Sequence, residues 1–260
     1  MYVKIQKQKS GAAKVTVNLP VNAVSRAYVD AETARVCRSV IPIIGDKEGR
    51  PFLVGSAVAI NFRDRKFLVT AYHVIEGSAD RPLFYFDVNG HARPFRGNFN
   101  FSEPQDLAAI ELTERDAEAL RHIPFLAENS IGSTAGSDGR FYASVAGYPH
   151  TAAKLIDKIT IGTPMEVYSN MAHEKIDGFI SVIFDKNGGA WVENSHQLVR
   201  DPIGKSGGAI FGIPLVGLND VRTTAAIRLV GIATDWKRDD RCIVGPSSVM
   251  LVNLLKHMTV

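Results

Sequence analysis

The sequence predicts an all-β protein built as two β-barrels or sandwiches, closed by one C-terminal helix. Three observations predict it. Short β-branched and apolar runs recur along most of the chain, each broken by glycine, proline or small polar residues. Helical periodicity is confined to short pieces, so strands do not alternate with helices as an α/β sheet requires. The segment Glu128-Asn-Ser-Ile-Gly-Ser-Thr-Ala-Gly-Ser-Asp-Gly139 is a Gly/Ser/Thr-rich linker that divides the strands into two sets of similar content.

Taken in order, residues 1–33 read as an N-terminal arm. Lys4, Lys7, Lys9 and Lys14 surround an alternating stretch, Lys14 to Leu19, that fits a half-exposed strand. The lysines suit a solvated arm, and residues 31–35 a brief helical turn. Residues 34–127 form the first β unit, beginning with strands at Val36–Ile44, Phe52–Ile60 and Phe67–Ala71. A single turn from Tyr72 to Gly77 follows, and Asn89-Gly90 marks a hairpin between residues 83–88 and 91–95. Asp106 opens the strand that runs to Leu112. Residues 128–140 are the linker, and residues 141–260 form the second unit. Its strands lie near 141–147, 163–168, 178–184, 190–192, 229–234 and 242–244. Ser247 or Ser248 caps a final helix whose apolar face carries Val249, Leu251, Val252 and Leu255.

With 260 residues, 45% hydrophobic and 22% charged, the chain is an ordinary globular sequence long enough for one large or two modest domains. A formal charge of +3 is too small to imply nucleic acid without a clustered patch, and Asp64, Asp239 and Asp240 interrupt the basic residues. Two cysteines, Cys37 and Cys242, cannot build a disulfide framework and read as reduced, buried thiols. The first ten residues lack the apolar core of a signal peptide, and no stretch has the length to span a bilayer. The expectation is a cytoplasmic protein with no nucleic-acid or membrane partner.

The segment Asp201-Pro-Ile-Gly-Lys-Ser-Gly-Gly-Ala-Ile-Phe211 sets Ser206 at a glycine-rich corner that runs straight into an apolar strand. Amides at such a corner can stabilise an oxyanion. A serine hydroxyl needs a base, and the base needs an orienting group. His73 ends one apolar strand and Asp106 begins another, so both reach the rim of the first unit. Each piece alone has a plain structural reading: a turn serine, a strand-end histidine, a turn-forming acid. Together, in the order His, Asp, Ser, they outline an acyl-transfer site.

Phe67-Leu-Val-Thr-Ala-Tyr-His-Val74, Asp106-Leu-Ala-Ala-Ile110 and Gly204-Lys-Ser-Gly-Gly-Ala-Ile-Phe211 resemble the three signature blocks of trypsin/chymotrypsin-like serine proteases, in particular the bacterial, disulfide-free branch. Gly55 to Ile60, Ala146-Gly-Tyr-Pro149 and Leu229 to Thr234 resemble further strands of that family, and the likeness spans roughly residues 35–245. The resemblance implies two six-stranded antiparallel β-barrels with a cleft between them. It implies a serine endopeptidase with Ser206 as nucleophile, His73 as general base and then acid, and Asp106 as orienter. The backbone N–H groups of Gly204 and Ser206 would form the oxyanion hole. No metal or cofactor is implied. The partners are a protein or peptide substrate, with room for a separate regulatory protein.

Primary specificity stays open in the sequence. By the same resemblance Arg200 and Asp201 occupy the floor of the substrate pocket, and Thr234, Asp235 and Trp236 its wall and substrate-pairing edge. Arg200 would favour acidic side chains and Asp201 or Asp235 basic ones, while pairing between them would cancel both. Lys205 stands where the family carries Asp or Asn, so it cannot pair with a newly cut N-terminal amine. Its ammonium is expected to point to solvent. That departure keeps an alternative in view: a catalytically impaired or latent protease-fold protein acting as a binding or regulatory scaffold.

Overall fold

The computed structural model describes residues 2–7, 13–18, 23–77, 82–134, 138–156, 161–185, 189–192, 195–198, 201–213 and 227–259. Two antiparallel sheets dominate the described residues. The first runs in the order Ala92–Pro94, Leu83–Phe86, Val40–Lys47, Arg50–Phe62, Arg65–Thr70, Leu107–Glu111, Asn100–Ser102, with Leu126–Ala127 added in parallel to Arg50–Phe62. The second runs Arg228–Ala233, Gly208–Ile213, Arg140–Gly147, Glu166–Glu174, Phe179–Ile183, Cys242–Pro246, Asp235–Lys237. A hairpin of Gly189–Val192 and Ser195–Leu198 branches from Glu166–Glu174.

Six strands of the second sheet curl until the first meets the sixth. Gly231 bridges to Ser247, and the Thr234 amide donates to Val244 O at 2.9 Å. Two glycines make that closure possible. A Cβ on Gly245 would lie 1.7 Å from Ile232 O, and one on Gly231 would lie 2.5 Å from Pro246 O, so only a bare backbone fits this seam. Phe141, Val145, Tyr168, Ile180, Ile210 and Ile243 fill the interior. The first sheet curves around Ile43, Ala57, Leu68, Tyr85, Ile110 and Leu120 as a half-barrel.

A third apolar cluster joins the two. Val58, Phe67 and Leu107 of the first sheet meet Ala209, Phe211 and Ile232 of the second, with Leu251 and Leu255 of the C-terminal helix packed against them. That helix runs Ser248–Met258, as its apolar spacing predicts; Leu251 and Leu255 are buried, but Val249, expected on the same face, is exposed. Ser247 occupies the N-cap position, but its side chain makes no cap hydrogen bond; the Ser247 amide instead donates to Gly178 O at 2.9 Å.

The N-terminal region departs from expectation in part: the strand expected over Lys14 to Leu19 is present at Ala13–Asn18. Tyr2–Lys7 and Ala13–Asn18 form a hairpin, and Ala23–Cys37 is a helix of 15 residues rather than a single turn. Val36 and Cys37, expected in a strand, end this helix and bury themselves in the inter-sheet cluster; the strand starts at Val40. Their β-branched and apolar character reports burial, which tertiary packing here satisfies with a helix.

Candidate active site

Two strand ends and one glycine-rich corner converge between the sheets. After Arg65–Thr70 the chain turns through Ala71 into a short helix, Tyr72–Glu76, which lifts His73 to the cleft rim. Asp106 closes a turn in which its amide donates to Glu103 O at 2.9 Å, and it adopts φ 50° just before Leu107–Glu111. Left-handed backbone is tolerated by Asp because its short side chain bonds locally.

The carboxylate of Asp106 takes hold of His73 twice. Oδ1 accepts the His73 amide at 3.0 Å, and Oδ2 lies 2.8 Å from Nδ1 of the ring. The Tyr72 amide also donates to Asp106 O at 3.1 Å. This fixes both ring position and tautomer, leaving Nε2 as the nitrogen able to accept a proton. The hydrogen bond that the ring donates to Asp106 raises the imidazole pKa above its ordinary value, opposed by partial burial and helped by the charges of Asp106, Asp235 and Glu76.

The serine corner hangs between the two sheets. The Ser56 amide donates to Ser206 O at 2.8 Å, the Gly207 amide to Ala233 O at 2.8 Å, and the His150 amide to Ile203 O at 3.0 Å. Ser56 is a hub: its carbonyl accepts from Thr70 Oγ1 at 2.7 Å, and its hydroxyl accepts the Tyr148 amide at 3.0 Å. Gly204 (φ 92°) and Gly207 (φ 81°) both need left-handed backbone. Among the described residues no hydrogen bond takes up the amide N–H of Gly204 or Ser206. Two uncommitted donors beside one hydroxyl are the chemistry an oxyanion needs.

His73, Asp106, Gly204, Lys205, Ser206, Thr234, Asp235 and Trp236 all line one cleft of about 420 Å³, together with Pro202, Ile203, Ala233 and Ile243. Ser206 Oγ donates to Thr234 O at 3.3 Å, while His73 keeps its bond to Asp106. Rotation about the Ser206 Cα–Cβ bond moves the hydroxyl among staggered positions without disturbing the backbone.

The remaining specificity candidates divide. Arg200 lies outside the described residues. Asp201 is half-buried and is not among the residues lining the cleft. Asp235 is exposed and ion-paired with Lys237. Asp235–Lys237 pairs only with Cys242–Pro246 among the described strands, so no described strand covers its other edge beside the cleft.

Lys205 overturns the solvent-facing expectation. Its side chain is 2% exposed, and its ammonium lies 3.4 Å from Oε2 of Glu166, itself 1% exposed. Burial draws the ammonium pKa below its usual range, and the Glu166 carboxylate counteracts that. Snorkelling is impossible because the corner turns the Lys205 stem inward. Sequence reasoning missed Glu166 and Ser56. A lysine between Gly204 and Ser206 in a glycine-rich corner is the signal for a buried counter-charge, but nothing local says which acid supplies it.

No protein-family model and no curated protein matches this sequence. Solved structures do. The serine protease domain of the Sesbania mosaic virus polyprotein is 10% identical over 83% of this chain and 91% of its own, with a TM-score of 0.50. A chain from a study of the coupled folding and binding of the intrinsically disordered Sesbania mosaic virus VPg protein is 11% identical over 84% of this chain and 90% of its own, also at 0.50. At such identities the likeness is one of backbone path. By that path, and by its two curled antiparallel sheets and small C-terminal helix, the chain has the fold of the chymotrypsin-like serine proteases.

Proposed function

We propose that this protein is a serine endopeptidase that cleaves peptide bonds through an acyl-enzyme on Ser206. The observation that carries the reading is the cleft itself. An imidazole oriented by a carboxylate shares it with a hydroxyl flanked by two amides that no described residue engages.

In the proposed reaction a peptide lies along the edge of Asp235–Lys237 that no described strand covers, pairing main chain to main chain. Its scissile carbonyl oxygen enters between the amides of Gly204 and Ser206. Ser206 Oγ turns from Thr234 O and attacks the carbonyl carbon, passing its proton to His73 Nε2. Asp106 keeps the ring aligned and stabilises the imidazolium. The developing oxyanion is held by the two N–H donors. His73 then protonates the leaving amine as the C–N bond breaks, giving the acyl-enzyme. Water, deprotonated by His73, attacks the ester in the same geometry; the acyl C–Oγ bond breaks, His73 returns the proton to Ser206 Oγ, and the acid is released.

Two supporting features concern setting. No helix among the described residues is long and apolar enough to cross a membrane. Cys37 and Cys242 are free and buried, and burial pushes the Cys37 thiol pKa up to about 12, which keeps it unreactive. The free, buried thiols suit the proposed cytoplasmic location.

One observation favours a second reading, a latent scaffold: the Ser206 hydroxyl rests on Thr234 O rather than on His73. Incubation with a diverse peptide library, followed by mass spectrometry, separates the two. The endopeptidase reading expects internal cleavages absent with Ser206→Ala; a library left intact by the wild-type chain sinks it.

A further inference from the structure

The run from Gly204 to Gly208 contains three glycines, and only Lys205 and Ser206 within it carry side chains. Such a run has great backbone freedom, so something must select one arrangement of its peptides. Backbone bonds fix Ser206 O and the Gly207 amide, and Ser206 has to keep its hydroxyl available. Among the side chains of the run, Lys205 is the remaining handle.

Its environment is built for it. The stem passes over Gly147, where an added Cβ would come within 3.1 Å of Lys205 Cβ and 3.2 Å of its Cα. Gly147 is the register partner of Glu166 across the Arg140–Gly147 and Glu166–Glu174 strands. One strand therefore leaves the gap through which the lysine runs, and its neighbour supplies the charge at the end. Glu166 is not among the residues lining the cleft, so the ammonium is directed away from Ser206.

A fully buried ion pair is a poor source of net stability, because desolvating both charges consumes much of their attraction. Its distinctive property is directional: it fixes where Lys205 Cα sits and how the 204–205 and 205–206 peptides are turned. We propose that Lys205 and Glu166 form an internal tie that holds the corner with the Gly204 and Ser206 amides aimed into the cleft. The anion site is then assembled by folding alone, with no new chain terminus required. Both are positioning residues, and this role rests on the endopeptidase reading for its catalytic consequence.

The paired variant Lys205→Met/Glu166→Leu removes both charges at similar volume. The expectation is a thermal midpoint near wild type, kcat lower by about 100-fold, and KM unchanged, because the lost orientation matters most once the oxyanion forms. In ¹⁵N-labelled protein, the amide resonances of Gly204 and Ser206 should be single in wild type and broadened or doubled in the variant. Glu166→Gln, which keeps shape and loses charge, should move the same resonances in the same direction and serves if the paired variant does not fold. Wild-type kcat and unchanged resonances in a folded variant overturn the tie. If the wild-type chain neither cleaves peptides nor reacts with a fluorophosphonate, the endopeptidase reading fails; the resonances still decide the tie.

Discussion

The backbone N–H of Ser56 donates to the carbonyl of Ser206 at 2.8 Å, so a strand of the first sheet holds the corner of the second. The nucleophile candidate is thus placed by the sheet that also carries His73 and Asp106. Relative movement of the sheets would disturb this bond. Gly207, the next residue, shows how close the approach is: a Cβ there would lie 2.0 Å from Ser56 O and 2.2 Å from Thr70 Oγ1.

Gly207→Ala should therefore cost stability as well as reactivity. Left-handed backbone at φ 81° is strained for alanine, and the colliding atoms include backbone that cannot swing aside. The expected loss is roughly 2 kcal/mol or more, read by denaturant unfolding, with reactivity at Ser206 falling beyond what unfolding explains.

The bond to Asp106 raises the His73 pKa, so the imidazole carries its proton to a higher pH than an isolated ring, whose midpoint is about 6.5. Catalysis needs the neutral base, so kcat/KM should rise with pH through a midpoint above that value. The stabilising contact of charged His73 with Asp106 is present below the unfolded midpoint and is lost as pH rises through the folded one. Asp106→Asn should bring the ring's NMR titration midpoint down. It should also lower kcat by about 10⁴-fold through loss of the correct tautomer.

Asp87 makes a separate acid-stability prediction. It is buried at the Asn89-Gly90 hairpin, where its carboxylate accepts the amides of His91 and Asn89 and pairs with Arg93. Those bonds, led by the one from His91, hold its pKa down at about 2. The contribution is complete above the unfolded carboxylate midpoint near 3.9 and disappears as pH falls through about 2. Asp87→Asn should be less stable than wild type at pH 7, and the difference should shrink when unfolding is measured at pH 2.

Much of this architecture was legible locally. His73, Asp106 and Ser206 each sit in a short text of strand, turn and glycine whose conformation is decided by near neighbours. The hairpin at Asn89-Gly90 was legible for the same reason, although its strands end earlier, at Phe86 and Ala92, because Asp87 and His91 are drawn into the turn. The failures are long-range. Val36 and Cys37 look like strand residues, but a helix delivers them to the same apolar cluster. Lys205 looks like a surface cation, but its partner lies on a strand that only the folded sheet brings beneath the corner. Ser56 acts mainly through its amide and carbonyl, which no residue type announces.

Covalent reaction with a fluorophosphonate tests the central claim most directly, because it requires an activated Ser206 hydroxyl beside an anion-binding corner. Intact-mass and peptide mapping should find one adduct, on Ser206, in the wild-type chain, with none in Ser206→Ala and a far slower reaction in His73→Ala. A wild-type chain that takes up no probe, or an adduct that persists in Ser206→Ala, would contradict the account.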